Sequence, residues 1–160
     1  MWLGRFVNTA RLELRLQSPA EVLAWVESLP AAEQVDVSPE WLKKVKLATE
    51  PDPWLCQFQI VRAADGVVLG SCGFSGAPDA AGMVEIAYAI AEEFRGQGYA
   101  TEAAEGLVMF AKSQLTVSVV RAHTKADNPA SGAVLKKAGF VFVGDFVDPE
   151  DGEVRRWEKI

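Results

Sequence analysis

The stretch FRGQGYATEA, residues 94–103, places two glycines and an arginine between an apolar run and an alanine-rich segment. A helix predicted to begin near Gly98 leaves its first four backbone N–H groups without an intrahelical acceptor, at the positive end of the helix dipole. Glycines let a ligand approach those groups closely, and Arg95 adds a positive charge, so this loop is typical of a diphosphate site. A tight strand-to-helix turn that needs glycine for its own backbone explains the same residues.

The same loop does not match two familiar phosphate-binding patterns. It lacks the Gly-Lys-Ser/Thr of a Walker motif, and Thr101 stands where the third glycine of a dinucleotide fingerprint belongs. A diphosphate site here would therefore belong to another class of protein.

Two other side chains are candidates for proton transfer. Glu85 is a carboxylate in the otherwise apolar run 83–91, and burial would raise its pKa towards that of a general base. A structural alternative is that Glu85 faces solvent or pairs with an arginine. His123, the sole histidine, has an unperturbed pKa that suits a base, although a strand histidine is more often a packing residue.

The elements that must position these residues follow from hydrophobic periodicity and turn signals. We expect seven strands, over residues 11–16, 55–62, 67–75, 83–91, 117–123, 140–147 and 154–159, and four helices, which begin after Ser18, after Ser38, at residue 98 and after Asn128. The order β-α-α-β-β-β-α-β-α-β-β predicts one mixed α/β sheet with helices packed on it. Residues 1–160 then form a single domain.

Composition and charge limit the classes of partner. The net charge of −6 argues against nucleic-acid binding, which needs clustered Lys and Arg. No apolar run approaches the ~20 residues that span a bilayer, and the short apolar start Met1–Gly4 does not predict a secretory leader.

Cysteine and histidine usage indicates a cytoplasmic chain without a metal site. The sequence has two cysteines, one histidine and no CxxC, which favours a reducing compartment over a disulfide scaffold. Cys56 and Cys72 fall on two strands joined by a turn around Asp65-Gly66, and a two- or four-residue loop predicts that they point to opposite faces.

Four segments, in order, resemble one enzyme family. Arg95-Gly96-Gln97-Gly98-Tyr99-Ala100 matches the signature Arg/Gln-x-x-Gly-x-Gly/Ala of the GCN5-related N-acetyltransferase (GNAT) superfamily. ARLELR at 10–15, VEIAYAI at 84–90 and NPASGAVLKKAGF at 128–140 resemble the branch that includes the ribosomal-protein alanine N-acetyltransferases.

That resemblance implies a mostly antiparallel, twisted α+β sheet whose fourth and fifth strands diverge, with acetyl-CoA as cosubstrate and no metal. The residues that it assigns to acetyl-CoA are Ala89, Ile90, Ala91, Arg95, Gly96, Gln97, Gly98, Tyr99, Ala100, Thr101 and Asn128. Without a ligand, the alanines are explained by core packing beneath a helix, and Asn128 by capping the helix that follows it.

The resemblance also implies catalytic roles. Glu85 matches a strand carboxylate that acts as base in some members, although a water chain would replace a dedicated base. Leu135 occupies the position of a tyrosine that many members use to protonate the leaving thiolate, and Ser131 matches the serine assigned that task in this branch. Tyr88 and Tyr99 are alternative proton donors.

The sequence therefore predicts an acetyl-CoA-dependent N-acetyltransferase that transfers acetyl directly to a primary amine within a ternary complex. The acceptor is left open between a protein N-terminus and a small amine such as a polyamine or aminoglycoside, and a homodimer is left open. The missing tyrosine keeps one alternative, a non-catalytic acyl-CoA-binding module with the same fold.

Overall fold

A computed structural model describes residues 5–160, and the start Met1–Gly4 lies outside the described residues. Eight strands and five α-helices are present in the described part. The strands are β1 Phe6–Asn8, β2 Leu12–Leu16, β3 Phe58–Arg62, β4 Val68–Phe74, β5 Met83–Ile90, β6 Val119–Lys125, β7 Val141–Asp148 and β8 Gly152–Lys159. The helices are α1 Pro19–Ser28, α2 Ala31–Gln34, α3 Pro39–Leu47, α4 Tyr99–Lys112 and α5 Pro129–Lys137.

The strands form one sheet in the order β1-β2-β3-β4-β5-β6-β8-β7. All neighbouring strands are antiparallel except β5 and β6, which are parallel. This confirms the predicted mixed, mostly antiparallel α/β sheet, and each of the seven predicted strands and four predicted helices is present.

Two short elements were not predicted. Strand β1 has three residues, too few for an alternating pattern to be detected, and it pairs with β2 across a tight turn. Helix α2 has four residues and lacks a side-chain cap, so neither periodicity nor a capping signal indicates it.

The parallel strands β5 and β6 stay together over three residue pairs only, from Met83–Val119 to Glu85–Arg121. Beyond Glu85, β5 runs on to Ile90 beside β4, whereas β6 continues against β8. The divergence expected of the fourth and fifth predicted strands, which are β5 and β6 in the structure, is confirmed. It opens the sheet near its centre.

The core lies between the sheet and helix α4. Alternation in β2 buries Leu12, Leu14 and Leu16, because successive side chains of a strand point to opposite faces. The stripe of α4 that meets the sheet is fully buried at Ala103, Ala104, Leu107 and Ala111. Trp54 joins this core, since its ring lies 4.8 Å from Phe74 and 5.5 Å from Phe110 between centroids.

The prediction that Cys56 and Cys72 point to opposite faces is wrong. A β-bulge in β4 shifts the register between the Ile60–Gly70 and Val61–Val68 pairs, so that Phe58 lies opposite Cys72. One inserted residue moves the following side chains to the other face. Cys56 and Cys72 are both buried, both free, and line the same cavity.

Within residues 5–160, no helix has both the length and the apolar character that a membrane span requires. Among the same residues, no three or more His, Cys, Asp and Glu side chains are grouped so that they would hold a metal ion.

Candidate active site

A cleft of about 590 Å³ lies where β5 leaves β6, between β5, the loop before α4, and α5. Ten of the residues singled out in the sequence line it: Ala89, Ile90, Arg95, Gly96, Gly98, Tyr99, Ala100, Thr101, Asn128 and Ser131. Gln97, Ala91 and Glu85 are not among its lining residues, whereas Tyr88 and Lys137 are.

The loop before α4 needs its two glycines for its own shape. Gly96 and Gly98 have φ angles of +79° and +83°, and Gly98 is the N-cap residue of α4 without a capping side chain. The turn explanation is therefore correct, but it does not exclude the ligand explanation. A loop of this shape leaves the N–H groups of the first turn of α4 without intrahelical acceptors, beside the cleft.

Arg11, in the turn before β2, contacts this loop. Its Nη1 donates to the Gln97 carbonyl at 3.0 Å, and its guanidinium carbon lies 4.5 Å from the centre of the Tyr99 ring. A trans peptide points its C=O and the next N–H in opposite directions. Because the Gln97 carbonyl faces Arg11, the Gly98 N–H points away from Arg11.

Glu102, in the first turn of α4, fixes Arg11 in place. Its carboxylate accepts the Arg11 backbone N–H and Nε–H, each at 2.7 Å, and the Thr9 hydroxyl. Burial tends to raise the pKa of Glu102, but the hydrogen bonds from Thr9 and Arg11 outweigh it and hold the pKa below its ordinary value. The carboxylate is thus kept ionised and neutralised by Arg11.

The backbone of β5 offers polar groups to the cleft at every second residue. The Ala91 N–H donates to the Leu69 carbonyl, and the Ser75 N–H donates to the Glu85 carbonyl. Because bonded pairs alternate along an antiparallel ladder, the backbone groups of the odd-numbered β5 residues bond to β4. The backbone groups of Tyr88 and Ile90 therefore face the opening. The Ile90 carbonyl accepts from Arg95 Nε at 2.9 Å.

In this register the backbone groups of Ala89 and Ala91, which the sequence analysis assigns to a ligand, are bonded within the protein. By the same alternation Ala89 is bonded to Ser71, while the N–H of Ala91 is bonded to Leu69 and its carbonyl to the Phe94 N–H. The alanines do not pack beneath a helix either, because Ala87 and Ala89 are exposed. Their small side chains keep the other face of β5 open.

Three polar side chains meet at the start of α5. The Asn128 oxygen accepts the Ser131 N–H at 3.2 Å, which confirms Asn128 as an N-cap residue. The Ser131 hydroxyl lies 3.1 Å from the Tyr88 hydroxyl, and both residues line the cleft. Burial raises the pKa of Tyr88 more than its bond with Ser131 lowers it, so Tyr88 is protonated at neutral pH and can donate.

Glu85 lies at the closed end of the divergence, paired with a histidine. Its Oε1 is 3.2 Å from His123 Nδ1, and His123 Nε2 accepts from Arg156 Nε at 3.0 Å. A nitrogen that accepts carries no proton, so the neutral imidazole presents its Nδ1–H to Glu85. Glu85 shares its face of β5 with Ala87 and Ala89, about 13 Å short of Ala89 along the strand.

Two cavities lie on the face of β5 opposite the core. One, of about 250 Å³, is lined by Trp41, Ser71, Ala87 and Ala89. The other, of about 680 Å³, is lined by Gln17, Trp25, Ser71 and Ala89. Trp41 therefore lines a cavity, whereas Trp54 packs against the core.

Residues 8–141 match the family model of the acetyltransferase (GNAT) domain. The chain belongs to this family. Among curated relatives, the uncharacterized N-acetyltransferase YjdG of Bacillus subtilis (strain 168) is 35% identical over 106 residues, which are 66% of this chain and 58% of that protein. The uncharacterized N-acetyltransferase p20 of Bacillus licheniformis is 26% identical over 64% of this chain and 53% of its own length. The chain thus spans little more than half the length of these relatives.

Solved structures share the GNAT fold at low sequence identity. An acetyltransferase (GNAT family) from Bacillus anthracis aligns with a TM-score of 0.72 at 17% identity, over 97% of this chain and 98% of that one. RimL, a ribosomal alpha-N-protein acetyltransferase in complex with coenzyme A, gives 0.73 at 19% identity over 97% of both chains. The aminoglycoside acetyltransferase AAC(6')-Ib, in complex with coenzyme A and kanamycin, gives 0.69 at 17% identity over 92% and 94%.

Sequence reasoning about this GNAT domain missed two residues that shape the site, Arg11 and Glu102. Arg11 lay inside the quoted ARLELR segment, but its contact with Glu102 joins residues 91 positions apart. Tyr88 was weighed only as a substitute for the missing tyrosine. An (i, i+3) or (i, i+4) spacing would have indicated local pairs, whereas these contacts depend on the assembled sheet.

The Glu102 contacts predict a pH-dependent contribution to the stability of the domain. Because its folded pKa is depressed, Glu102 stabilises the fold at pH values above its unfolded pKa, and this contribution is lost as pH falls through the folded value. We expect Glu102→Gln to lower the free energy of unfolding by about 1–2 kcal/mol at pH 7. The gap to wild type should close towards pH 3.

Urea denaturation at pH 7, 5 and 3 measures this effect. Glu105→Gln, which changes an exposed carboxylate on the same helix, is the matched control and should follow wild type throughout. A Glu102→Gln deficit that stays constant from pH 7 to pH 3 would show that ionisation of Glu102 is not its source.

Proposed function

We propose that this GNAT domain is an acetyl-CoA-dependent N-acetyltransferase that transfers an acetyl group directly to a primary amine. The observation that carries the proposal is the coincidence, in one cleft, of unpaired β5 backbone with a glycine loop at the start of α4. An extended arm that carries amides would pair with the unpaired β5 backbone as an added strand does. A diphosphate would bind at the glycine loop.

Acetyl-CoA fits the residues that line the cleft. The N–H groups of Gly98, Tyr99 and Ala100 would hold the diphosphate, and Lys137 adds a positive charge. The Tyr88 backbone groups and the Ile90 N–H would hold the pantetheine amides, since the Ile90 carbonyl is bonded to Arg95. Acetyl-CoA supplies a thioester carbonyl, and a β5 N–H aimed at that oxygen would stabilise the negative charge that develops there.

The amine enters as an ammonium, so its nitrogen loses two protons in all, one before attack and one as the new bond forms. The nitrogen bonds to the carbonyl carbon, the carbon–sulfur bond breaks, and the thiolate gains one proton. Glu85 is the proposed base. Since it lies at the closed end of the divergence, beside Ala87 rather than Ala89, it acts through intervening water, and the Nδ1–H of His123 orients its carboxylate.

The proposed acid is the pair of hydroxyls formed by Tyr88 and Ser131. Their separation of 3.1 Å lets a proton that leaves one be replaced from the other. Leu135, in contrast, is fully buried in the core. The absence of a tyrosine at that position keeps a non-catalytic acyl-CoA-binding module as the alternative, and the Tyr88–Ser131 pair supports the enzyme.

The function is tested by the release of free thiol from acetyl-CoA in the presence of a panel of primary amines. We expect release that depends on the amine, together with an acetylated product detected by mass spectrometry. Binding of CoA without amine-dependent thiol release for any amine in the panel would favour the binding module over the enzyme.

The anion loop is tested by a matched pair of glycine substitutions. Gly96 and Gly66 have φ angles of +79° and +73°, and an added Cβ meets no atom within 4 Å at either. Both substitutions by alanine should therefore cost about 1–2 kcal/mol of stability. Only Gly96→Ala places a methyl group beside the proposed diphosphate, and we expect it to weaken CoA binding about tenfold.

Isothermal titration of CoA into each folded variant measures this difference. Gly66→Ala should bind as wild type does, because Gly66 lies in the β3–β4 turn. Equal CoA affinities for the two variants would show that the glycines serve the turn alone.

The base is tested by Glu85→Gln, which keeps a hydrogen-bond acceptor for His123. We expect kcat/KM for the amine to fall about 100-fold at pH 7. The deficit should shrink as pH rises, because more of the amine loses its proton without help. Glu150→Gln, in the β7–β8 turn, is the control. A Glu85→Gln enzyme with the wild-type pH profile would show that solvent, not Glu85, removes the proton from the amine.

A further inference from the structure

Four side chains form a row across the half of the sheet that ends at β7, on the face opposite α4. The strands β5, β6, β8 and β7 are neighbours in this order. Glu85 Oε1 lies 3.2 Å from His123 Nδ1, and Arg156 Nε donates to His123 Nε2 at 3.0 Å. The guanidinium carbon of Arg156 lies 3.7 Å from the centre of the Phe146 ring. The row therefore takes one side chain from each strand and ends at the proposed base.

The sheet register brings these side chains together. His123 and Arg156 are directly opposite each other in the β6–β8 pair. Arg156 lies opposite Gly144 of β7, and the Phe146 ring lies where a side chain at Gly144 would stand, since an added Cβ would meet the ring at 3.3 Å. The missing side chain thus lets the guanidinium stack on the ring, and this stacking limits the positions that the guanidinium takes.

Arg156 determines how His123 can act. A guanidinium has donors only and stays protonated, so its Nε–H requires the lone pair of Nε2. A second proton on His123 would need that same lone pair and would stand against the arginine charge. The ring is therefore a neutral donor whose single proton, on Nδ1, faces Glu85. Neither nitrogen keeps a free lone pair, so in this arrangement His123 does not itself take the proton of the amine.

Glu85 is held by this neutral donor rather than by a cation. Its register neighbour on β6 is Arg121, but Arg121 is bonded to Glu158 at 2.6 Å. Among the described residues, the Glu85 carboxylate has His123 as its one polar side-chain partner. A cation bound directly to a carboxylate makes it a weaker base, whereas a neutral N–H orients it with a smaller loss of basicity. The Glu85 side chain is also 34% exposed, so water reaches it.

We propose that Arg156 is a positioning residue for proton removal from the amine. It occupies His123 Nε2, which keeps the ring neutral, and the Nδ1–H of that ring holds the Glu85 carboxylate in the orientation of a base. The inference rests on the proposed role of Glu85. It predicts that Arg156 affects the reaction only through Glu85, although Arg156 is not among the residues that line the cleft.

The state of the ring is measured directly by nitrogen NMR, since His123 is the sole histidine of the chain. In isotope-labelled wild-type protein at pH 7, we expect a neutral ring with its proton on Nδ1. A wild-type ring that carries its proton on Nε2, or on both nitrogens, would overturn the proposal without the need of any variant.

Two substitutions of Arg156 separate its hydrogen bond from its bulk. In Arg156→Gln the amide nitrogen stands as many bonds from Cα as the arginine Nε did, so a donor to Nε2 is kept. Arg156→Met has a similar length and no donor, and it leaves Nε2 open to a second proton. At pH 7 we expect the wild-type ring state in Arg156→Gln and a ring protonated on both nitrogens in Arg156→Met. The kcat for the amine should fall about tenfold in Arg156→Met, with KM unchanged, and should keep its wild-type value in Arg156→Gln.

Arg155→Met is the matched control for the loss of an arginine. Arg155 is the neighbouring residue of β8 and points to the other face of the sheet, where it pairs with Asp145 at 3.6 Å. The control should keep the wild-type ring state and kcat. Glu85→Gln completes a double-mutant cycle. In that background Arg156→Met should lower kcat no further, because its effect on the reaction passes through the carboxylate.

Phe146→Leu tests the same row if Arg156→Met does not fold. It keeps an apolar side chain but removes the ring on which the guanidinium stacks, and we expect kcat to fall about threefold. The ring state of His123 should shift in the same direction as in Arg156→Met. A folded Phe146→Leu protein with the wild-type ring state and kcat would contradict the proposal.

The outcomes separate this role from acetyl transfer itself. Equal losses of kcat in Arg156→Met and Arg156→Gln, or a loss that persists in the Glu85→Gln background, overturn the positioning role and leave the enzyme intact. A Glu85→Gln enzyme with the wild-type kcat removes the base on which the inference rests, and so overturns it as well. Absence of thiol release with every amine defeats the proposed function.

Discussion

The site depends on one constraint, which is that β5 has a strand partner on both sides only as far as Glu85. Backbone N–H and C=O groups need partners wherever they are removed from water. Past Glu85, β4 satisfies the odd-numbered residues, and Arg95 satisfies the Ile90 carbonyl. The remaining groups, at Tyr88 and Ile90, face a space that β6 has left in order to pair with β8. The opening between β5 and β6 and the unpaired backbone groups of β5 therefore have the same cause.

The loop at the mouth of this gap is held at two points by arginines from neighbouring segments. Arg95 ties the loop to the end of β5, and Arg11 ties it to β2. Glu102 holds Arg11 in position for its contact with the loop, but it places a negative charge at the start of α4. A carboxylate in the first turn of a helix is favourable to the helix dipole, but it would repel an anion at the same helix end. Its bond with Arg11 removes that repulsion, and leaves the helix N–H groups as the dominant field.

Local signals in the sequence were sufficient for four of the five helices. Asn128 caps α5 and α1 begins after Ser18, as predicted. The contacts that were not predictable join distant segments, such as Glu85 with His123. The bulge that overturned the cysteine prediction adds one residue to β4 and has no local signal apart from Gly70. The β5 register, which leaves the backbone groups of Tyr88 rather than those of Ala91 directed away from β4, required knowledge of which neighbour β5 pairs with.

Backbone and side chains contribute differently on the two sides of β5. On the cleft side part of the polar surface is backbone, at Tyr88, at the Ile90 N–H and at the start of α4, and many sequences present these groups equally well. This agrees with a fold shared at 17–19% identity by proteins described as a ribosomal alpha-N-protein acetyltransferase and as an aminoglycoside acetyltransferase in complex with kanamycin. On the other side the polar groups are the side chains of Gln17, Gln57 and Gln59, which any substitution alters. Under the proposed function, the backbone part of donor binding can therefore persist while the side chains of the other face change.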